Sequence, residues 1–151
     1  MSGLTALIKD LKNSVSKIEA VQNSLSKINK MTLDKPLSEK RALQVLKENA
    51  IVEMPADNYS KYIQEEFNEF IVEHDKTAEQ YKELCDLIWV CIQKANMQGY
   101  DLSKGLQELV DEYFSKFYTK DGVFMPIYRD DGKLLKNTGF KKADFKKLIH
   151  Y

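Results

Sequence analysis

The sequence predicts an all-α fold, a helical bundle with an extra amphipathic helix at its N-terminus, and three observations carry that prediction. Apolar residues recur at steps of three and four along most of the chain. Capping residues precede the periodic stretches, at Ser38, Asp57 or Asn58, Thr77, and Asp101 or Ser103. Two carboxylate pairs, Glu66 with Glu69 and Glu83 with Asp86, sit at a spacing of three on two helix-like segments joined by a short polar break at Asp75-Lys76-Thr77.

Composition sets the outer limits. A chain of 151 residues with 43% hydrophobic content fits one domain with a sizeable core and excludes a disordered one. Lys plus Arg and Asp plus Glu are equal at 23 each, so no whole-molecule field favours nucleic acid or an anionic membrane, and neither is expected as a partner. Charge is nevertheless segregated. From Glu53 to Glu83 nine acids face three lysines, whereas from Lys133 to His150 six lysines face the single acid Asp144. The first region suits a cation and the second an anion. The N-terminus, MSGLTALIKDLKNSVSKIEA, has neither the apolar core of a signal peptide nor the length of a membrane span, so a cytoplasmic location is expected. Cys85 and Cys91 stand six apart on one predicted helix, too poorly placed to bridge each other, and are read as buried, reduced thiols.

From Leu4 to Ile28 the residues Leu4, Leu7, Ile8, Leu11, Val15, Ile18, Val21, Leu25 and Ile28 form a narrow helical stripe, expected to pack on the core or on a partner subunit. Met31 to Ser38 reads as a linker, which places a boundary between an N-terminal helix with its linker over 1–37 and a core over 38–151. Ala42, Leu43, Leu46 and Ala50 mark a short helix ending before Pro55. On the next helix Ile63, Phe67, Phe70 and Ile71 form the expected buried stripe, with Glu66 beside it, Glu69 further round and Glu65 facing water. Thr77 and Gln80 form a capping-box pattern for a helix from Ala78 to Met97, in which only Asp86 is charged between Leu84 and Ile92. That run predicts burial on most sides, with Trp89 in the core. Gly99 ends the helix, and another runs to about Tyr118 with Leu102, Leu106, Leu109, Val110, Phe114 and Phe117 inward. A short hairpin about Asp130-Asp131-Gly132 and a last short helix from Ala143 to Ile149 complete the expectation.

The acid pairs lie level across the polar break. Glu69 and Glu83 fall about 8 to 9 Å from the turn and Glu66 and Asp86 about 12 to 14 Å, at roughly 1.5 Å per residue. A short turn makes the helices antiparallel neighbours with axes roughly 8 to 10 Å apart, so four acids converge on one small volume. An ionised carboxylate amid apolar residues costs several kcal/mol unless a cation or hydrogen-bond donors meet it. Neither His74 nor His150 is spaced with the acids and no thiol pair is available, so an all-oxygen site for Mg²⁺ or Mn²⁺ is the natural reading.

EExxE at Glu65, Glu66 and Glu69, then ExxD at Glu83 and Asp86 after a gap of thirteen, resembles the all-α nucleoside triphosphate pyrophosphohydrolases, which include MazG-like enzymes, dimeric dUTPases and phosphoribosyl-ATP pyrophosphohydrolase. The resemblance covers roughly 38–149, and extends to DLIWV from Asp86, GYDL from Gly99, SKF from Ser115 and DGKLLK from Asp131. It implies Mg²⁺-dependent hydrolysis of a nucleotide to its monophosphate and pyrophosphate. By position, Glu69, Glu83 and Asp86 correspond to metal ligands, and Glu66 to a ligand or to the base that takes a proton from the attacking water. Lys116, Lys133 and Lys136 are candidates for the phosphate tail. Members often carry Asn three residues before the lysine of the SK element, where this chain has Tyr113, a candidate base or sugar contact. The resemblance also implies self-association to a dimer or tetramer. The alternative is a catalytically silent nucleotide-binding or protein-interaction module.

Overall fold

The structure, a computed structural model, describes residues 3–34, 38–47, 58–120, 123–137 and 139–149. It is all-α apart from a two-stranded ribbon: α1 (Gly3–Ser16), α2 (Ile18–Asp34), α3 (Glu39–Leu46), α4 (Tyr59–Ile71), α5 (Ala78–Gln98), α6 (Leu102–Phe114), β1 (Tyr118–Lys120) and β2 (Val123–Met125). The expected N-terminal helix is present but breaks at Lys17, which forms a turn whose amide donates to Ser14 O. Two serine hydroxyls just before it, on Ser14 and Ser16, donate back to the carbonyls of Asp10 and Asn13, the side-chain competition that weakens a helix locally.

Contacts divide the chain into two compact units, 18–102 and 1–17 with 103–151. The linker was placed from Asp34, Pro36 and Ser38, which mark a helix end correctly; what joins α2 to the following helices is packing that no linker signal reports. Ser38 caps α3 as expected, its hydroxyl accepting from the amide of Arg41. Asn58 stands at the N-cap of α4 without a side-chain bond, and Asp57 and Ala50 lie outside the described residues.

In the 18–102 unit, α5 is the central helix, packed against α4 through its first half and against α2 as well. Its ends are well specified. Thr77 Oγ1 accepts from the amide of Gln80 at 3.1 Å, the first half of the expected capping box, while Gln80 Oε1 accepts from the amide of Lys76, one residue before the cap, rather than from Thr77 itself. At the other end Gly99 takes the left-handed conformation at φ 69°, and the amide of Tyr100 reaches back to Ala95 O, a Schellman-type stop.

The α2 interface reverses the sequence expectation. Among the described side chains of α2, Gln22, Asn23, Ser26 and Lys27 are buried, while Val21 on the apolar stripe is exposed. Gln22 Nε2 donates to Asn96 Oδ1 and to Tyr100 O, Gln22 Oε1 accepts from the amide of Leu102, and Asn96 Nδ2 donates to Gln22 O. Two fully buried amides thus sew α2 onto the C-terminal end of α5, and Asn29 donates to Gln93 one turn further along. Hydrophobic period alone assigns the apolar stripe inward; here the polar face turns in at Gln22, whose amide and that of Asn96 satisfy each other.

The same reversal holds on α4 and α5. Phe67 and Ile71, expected in the buried stripe, are exposed, as are Leu84, Ile88 and Trp89; Ile63 and Phe70 are half-buried. Cys85 and Cys91 are free, as read, but exposed rather than buried. Burial on α5 concentrates in its second half, at Ile92, Gln93, Ala95 and Asn96. No helix among the described residues is long and apolar enough to cross a membrane.

In the other unit, α6 ends at Phe114 rather than near Tyr118, and its aromatic end is an edge-to-face cluster of Tyr113, Phe114 and Phe117. Glu112 accepts from the amide of Ala143, Ser115 accepts from the amide of Lys141, and Lys147 pairs with Glu108 at 2.6 Å, which fastens the C-terminal segment to α6. A Cβ at Gly105 would approach the Phe145 ring to 3.1 Å, so the helix is bare where that ring packs. β1 and β2 pair antiparallel on either side of residues 121–122. The expected turn about Asp130-Asp131-Gly132 also forms: Gly132 N donates to Arg129 O, Arg129 N to Lys133 O and Leu135 N to Ile127 O, with an antiparallel bridge between Tyr128 and Leu134. The final helix is a single 3-10 turn, Lys146–Leu148.

Candidate metal centre

The pairing of α4 with α5 brings Glu66, Glu83 and Asp86 together, with one carboxylate oxygen from each lying within 4.8 Å of the others. Local geometry explains the meeting. Glu83 and Asp86 are three apart and share a face of α5, and Glu66 stands on the facing side of α4. The exposed apolar residues Leu84 and Ile88 lie roughly on the opposite face of α5 at about 100° per residue.

Two of the oxygens are in an unusual state. Glu66 Oε2 and Glu83 Oε2 are buried and have no hydrogen-bond partner. Native structures pair almost every such atom, because an unsatisfied buried acceptor keeps its full desolvation cost. Burial, followed by the fields of Glu69, Asp86 and Glu83, pushes the Glu66 carboxyl above its ordinary value, and Lys82 works against the shift. Three carboxylates therefore form a pocket of negative charge with its inner oxygens unmet.

The donor set fits a hard divalent cation. It is all-oxygen and carboxylate-rich, the donor chemistry that Mg²⁺ and Mn²⁺ prefer. Three negative charges exceed what one exposed lysine neutralises.

Glu69, one turn from Glu66, is exposed and contributes no oxygen to the trio; it acts on Glu66 through its field. Glu65 faces water as expected, 3.9 Å from Lys61 Nζ. The candidate phosphate and base residues all belong to the other unit. Lys116 is half-buried just after α6. Lys133 is exposed in the turn, where its amide donates to Asp131 Oδ1. Lys136 is exposed with its ammonium 4.6 Å from the Phe140 ring centroid. Tyr113 is exposed at the edge of the aromatic cluster.

One participant escaped the sequence reading. Lys82 Nζ lies 2.5 Å from Asp86 Oδ2 and 3.7 Å from Glu83 Oε1, at the outer edge of the trio. Its signal was present as a Lys-to-Asp spacing of four on one helix. No protein-family model, no curated protein and no solved structure matches this chain.

Proposed function

We propose that the protein is a Mg²⁺-dependent nucleotide pyrophosphohydrolase, cleaving a nucleoside triphosphate or related nucleotide to the monophosphate and pyrophosphate. The observation that carries this reading is the trio Glu66, Glu83 and Asp86 with two buried oxygens that have no partner. The EExxE and ExxD pattern, resembling the MazG-like superfamily, supplies the reaction class.

Glu83 and Asp86 would hold the cation from α5, with Glu66 facing them from α4. Bound there, Mg²⁺ (or Mn²⁺) would supply charge compensation for phosphate oxygens and orientation of water. Glu66 would take a proton from the attacking water as its oxygen bonds to phosphorus, and the phosphoanhydride bond would break with pyrophosphate leaving. An upward-shifted carboxyl suits the task, since a general base works best with a pKa nearer the working pH. Glu69 adds negative potential at the rim. Lys116, Lys133 and Lys136 are the candidates for the phosphate tail, and Tyr113 for the base or sugar.

Self-association to a dimer or tetramer belongs to the same reading, since relatives of this type pair helices across subunits. Exposed Phe67, Ile71, Leu84, Ile88 and Trp89 offer apolar surface for it. Sedimentation velocity giving a monomer at micromolar concentration would remove this part.

Screening common ribo- and deoxyribonucleotides for pyrophosphate release with Mg²⁺, alongside Asp86→Asn, tests the activity. Turnover in the native protein and its loss in the variant, with helical circular dichroism retained, is the expected result. The second reading, a catalytically silent nucleotide-binding or protein-interaction module, draws on Lys82 already neutralising part of the trio. Nucleotide binding by calorimetry with no turnover across the panel would favour it.

A further inference from the structure

We propose that Lys82 is a tethered competitor for the divalent cation, its ammonium seated against Asp86 and Glu83 so that metal binding requires the side chain to swing out to solvent. The inference rests on the metal-centre reading above and adds a control on it.

Spacing on α5 makes the contact. Lys82 is one turn before Asp86 and adjacent to Glu83, so its stem reaches the trio without distorting the helix. Among the described residues, the ion pairs that reach the trio both come from Lys82. The ammonium meets only the outer oxygens, Asp86 Oδ2 and Glu83 Oε1, and leaves the inner oxygens of Glu66 and Glu83 unpaired. It is therefore an incomplete substitute for a divalent ion, which carries twice the charge and can be reached by all three carboxylates. Its side chain is 69% exposed and held at its head alone, so it can leave at little cost. A partly exposed pair of this kind changes an equilibrium by up to about fivefold, enough to bias the site toward cation release without closing it. The other two lysines of the hairpin differ. Lys61 sits beside Glu65, outside the trio, and Lys76 lies in the turn before α5.

The test is Mn²⁺ binding to the full chain, read from the electron paramagnetic resonance of free Mn²⁺, for wild type, Lys82→Gln, Lys82→Met and Lys61→Gln. Both Lys82 variants are expected to bind roughly two- to fivefold more tightly, with Lys61→Gln matching wild type. In protein labelled with ¹³C at lysine Cε, the resonance absent from Lys82→Gln should move when Mg²⁺ is added to wild type. Equal or weaker Mn²⁺ binding in the Lys82 variants overturns the proposal and leaves the metal centre standing. Equal tightening in Lys61→Gln also overturns it, since net charge alone would then be the cause. Absence of Mn²⁺ binding in all four proteins removes both the proposal and the metal centre.

Discussion

The two halves of α5 bury polar groups in opposite ways. At its C-terminal end Asn96 and its partner Gln22 are fully buried, and each amide both donates and accepts. At its N-terminal end Glu83 meets Glu66 and Asp86, and two buried oxygens have no partner. Amides carry both donors and acceptors and so can satisfy one another; carboxylates carry acceptors alone and cannot. The buried Asn23 Oδ1 and Lys27 Nζ on α2 also lack partners, but they are an acceptor and a donor four residues apart, complementary rather than alike. A closed amide network holds helices together, whereas a cluster of like acceptors calls for a cation from outside.

The sharpest break of that contrast is chemical. Glu83→Gln should reduce pyrophosphate release by at least about a hundredfold, from the loss of a charged ligand in the trio, with thermal stability unchanged or raised. A variant that keeps activity would mean that the unmet oxygens serve nothing. The converse holds at the other end of the helix. Asn96→Ala strands buried groups of Gln22 and should cost about 2–3 kcal/mol, a fall in melting temperature of roughly 4–12 °C for a chain of this size, with metal binding per folded molecule retained.

Glu66→Gln sharpens the comparison through pH. The Glu66 carboxyl is raised in the folded state, so the folded chain holds that proton more tightly than the unfolded chain does; the stability linked to it is fully present below the ordinary value of 4.5 and is lost as pH rises through the raised value. In EDTA the variant should therefore melt roughly 2 °C above wild type at pH 7 and level with it near pH 4. Saturating Mg²⁺ should reverse the order at pH 7. The smallest expected effect lies in the turn between the paired helices, where Lys76 is held at φ 63°. Lys76→Gly removes the left-handed strain and should raise stability by about 0.5 kcal/mol in chemical denaturation, without altering metal binding.

How legible each feature was depends on its range. Thr77 with Gln80, Gly99 and Ser38 act within one turn of chain, and each cap forms as the sequence indicates. The turn about Asp130-Asp131-Gly132 was written locally too and forms with Gly132 at φ 89°; the separate ribbon on either side of 121–122 was not expected, although Asp121-Gly122 between YTK and VFM is the same kind of signal. The acid pairs were legible as faces of two helices, but which acids meet was not. Glu69 has the same spacing credentials as Glu66 and stays outside the trio.

The sequence by itself determined where α3 starts, where α5 starts and stops, and that two helices carry acids on matched faces, because caps, breakers and the 3.6-residue period are local properties. Only the tertiary structure decided how each helix is rotated about its own axis. That rotation turned the amides of α2 inward, left Phe67, Leu84 and Trp89 outside, and set Lys82 at the edge of the trio. It is fixed by the joint satisfaction of groups far apart in the chain, Gln22 with Asn96 above all, and a hydrophobic pattern read one helix at a time does not contain it.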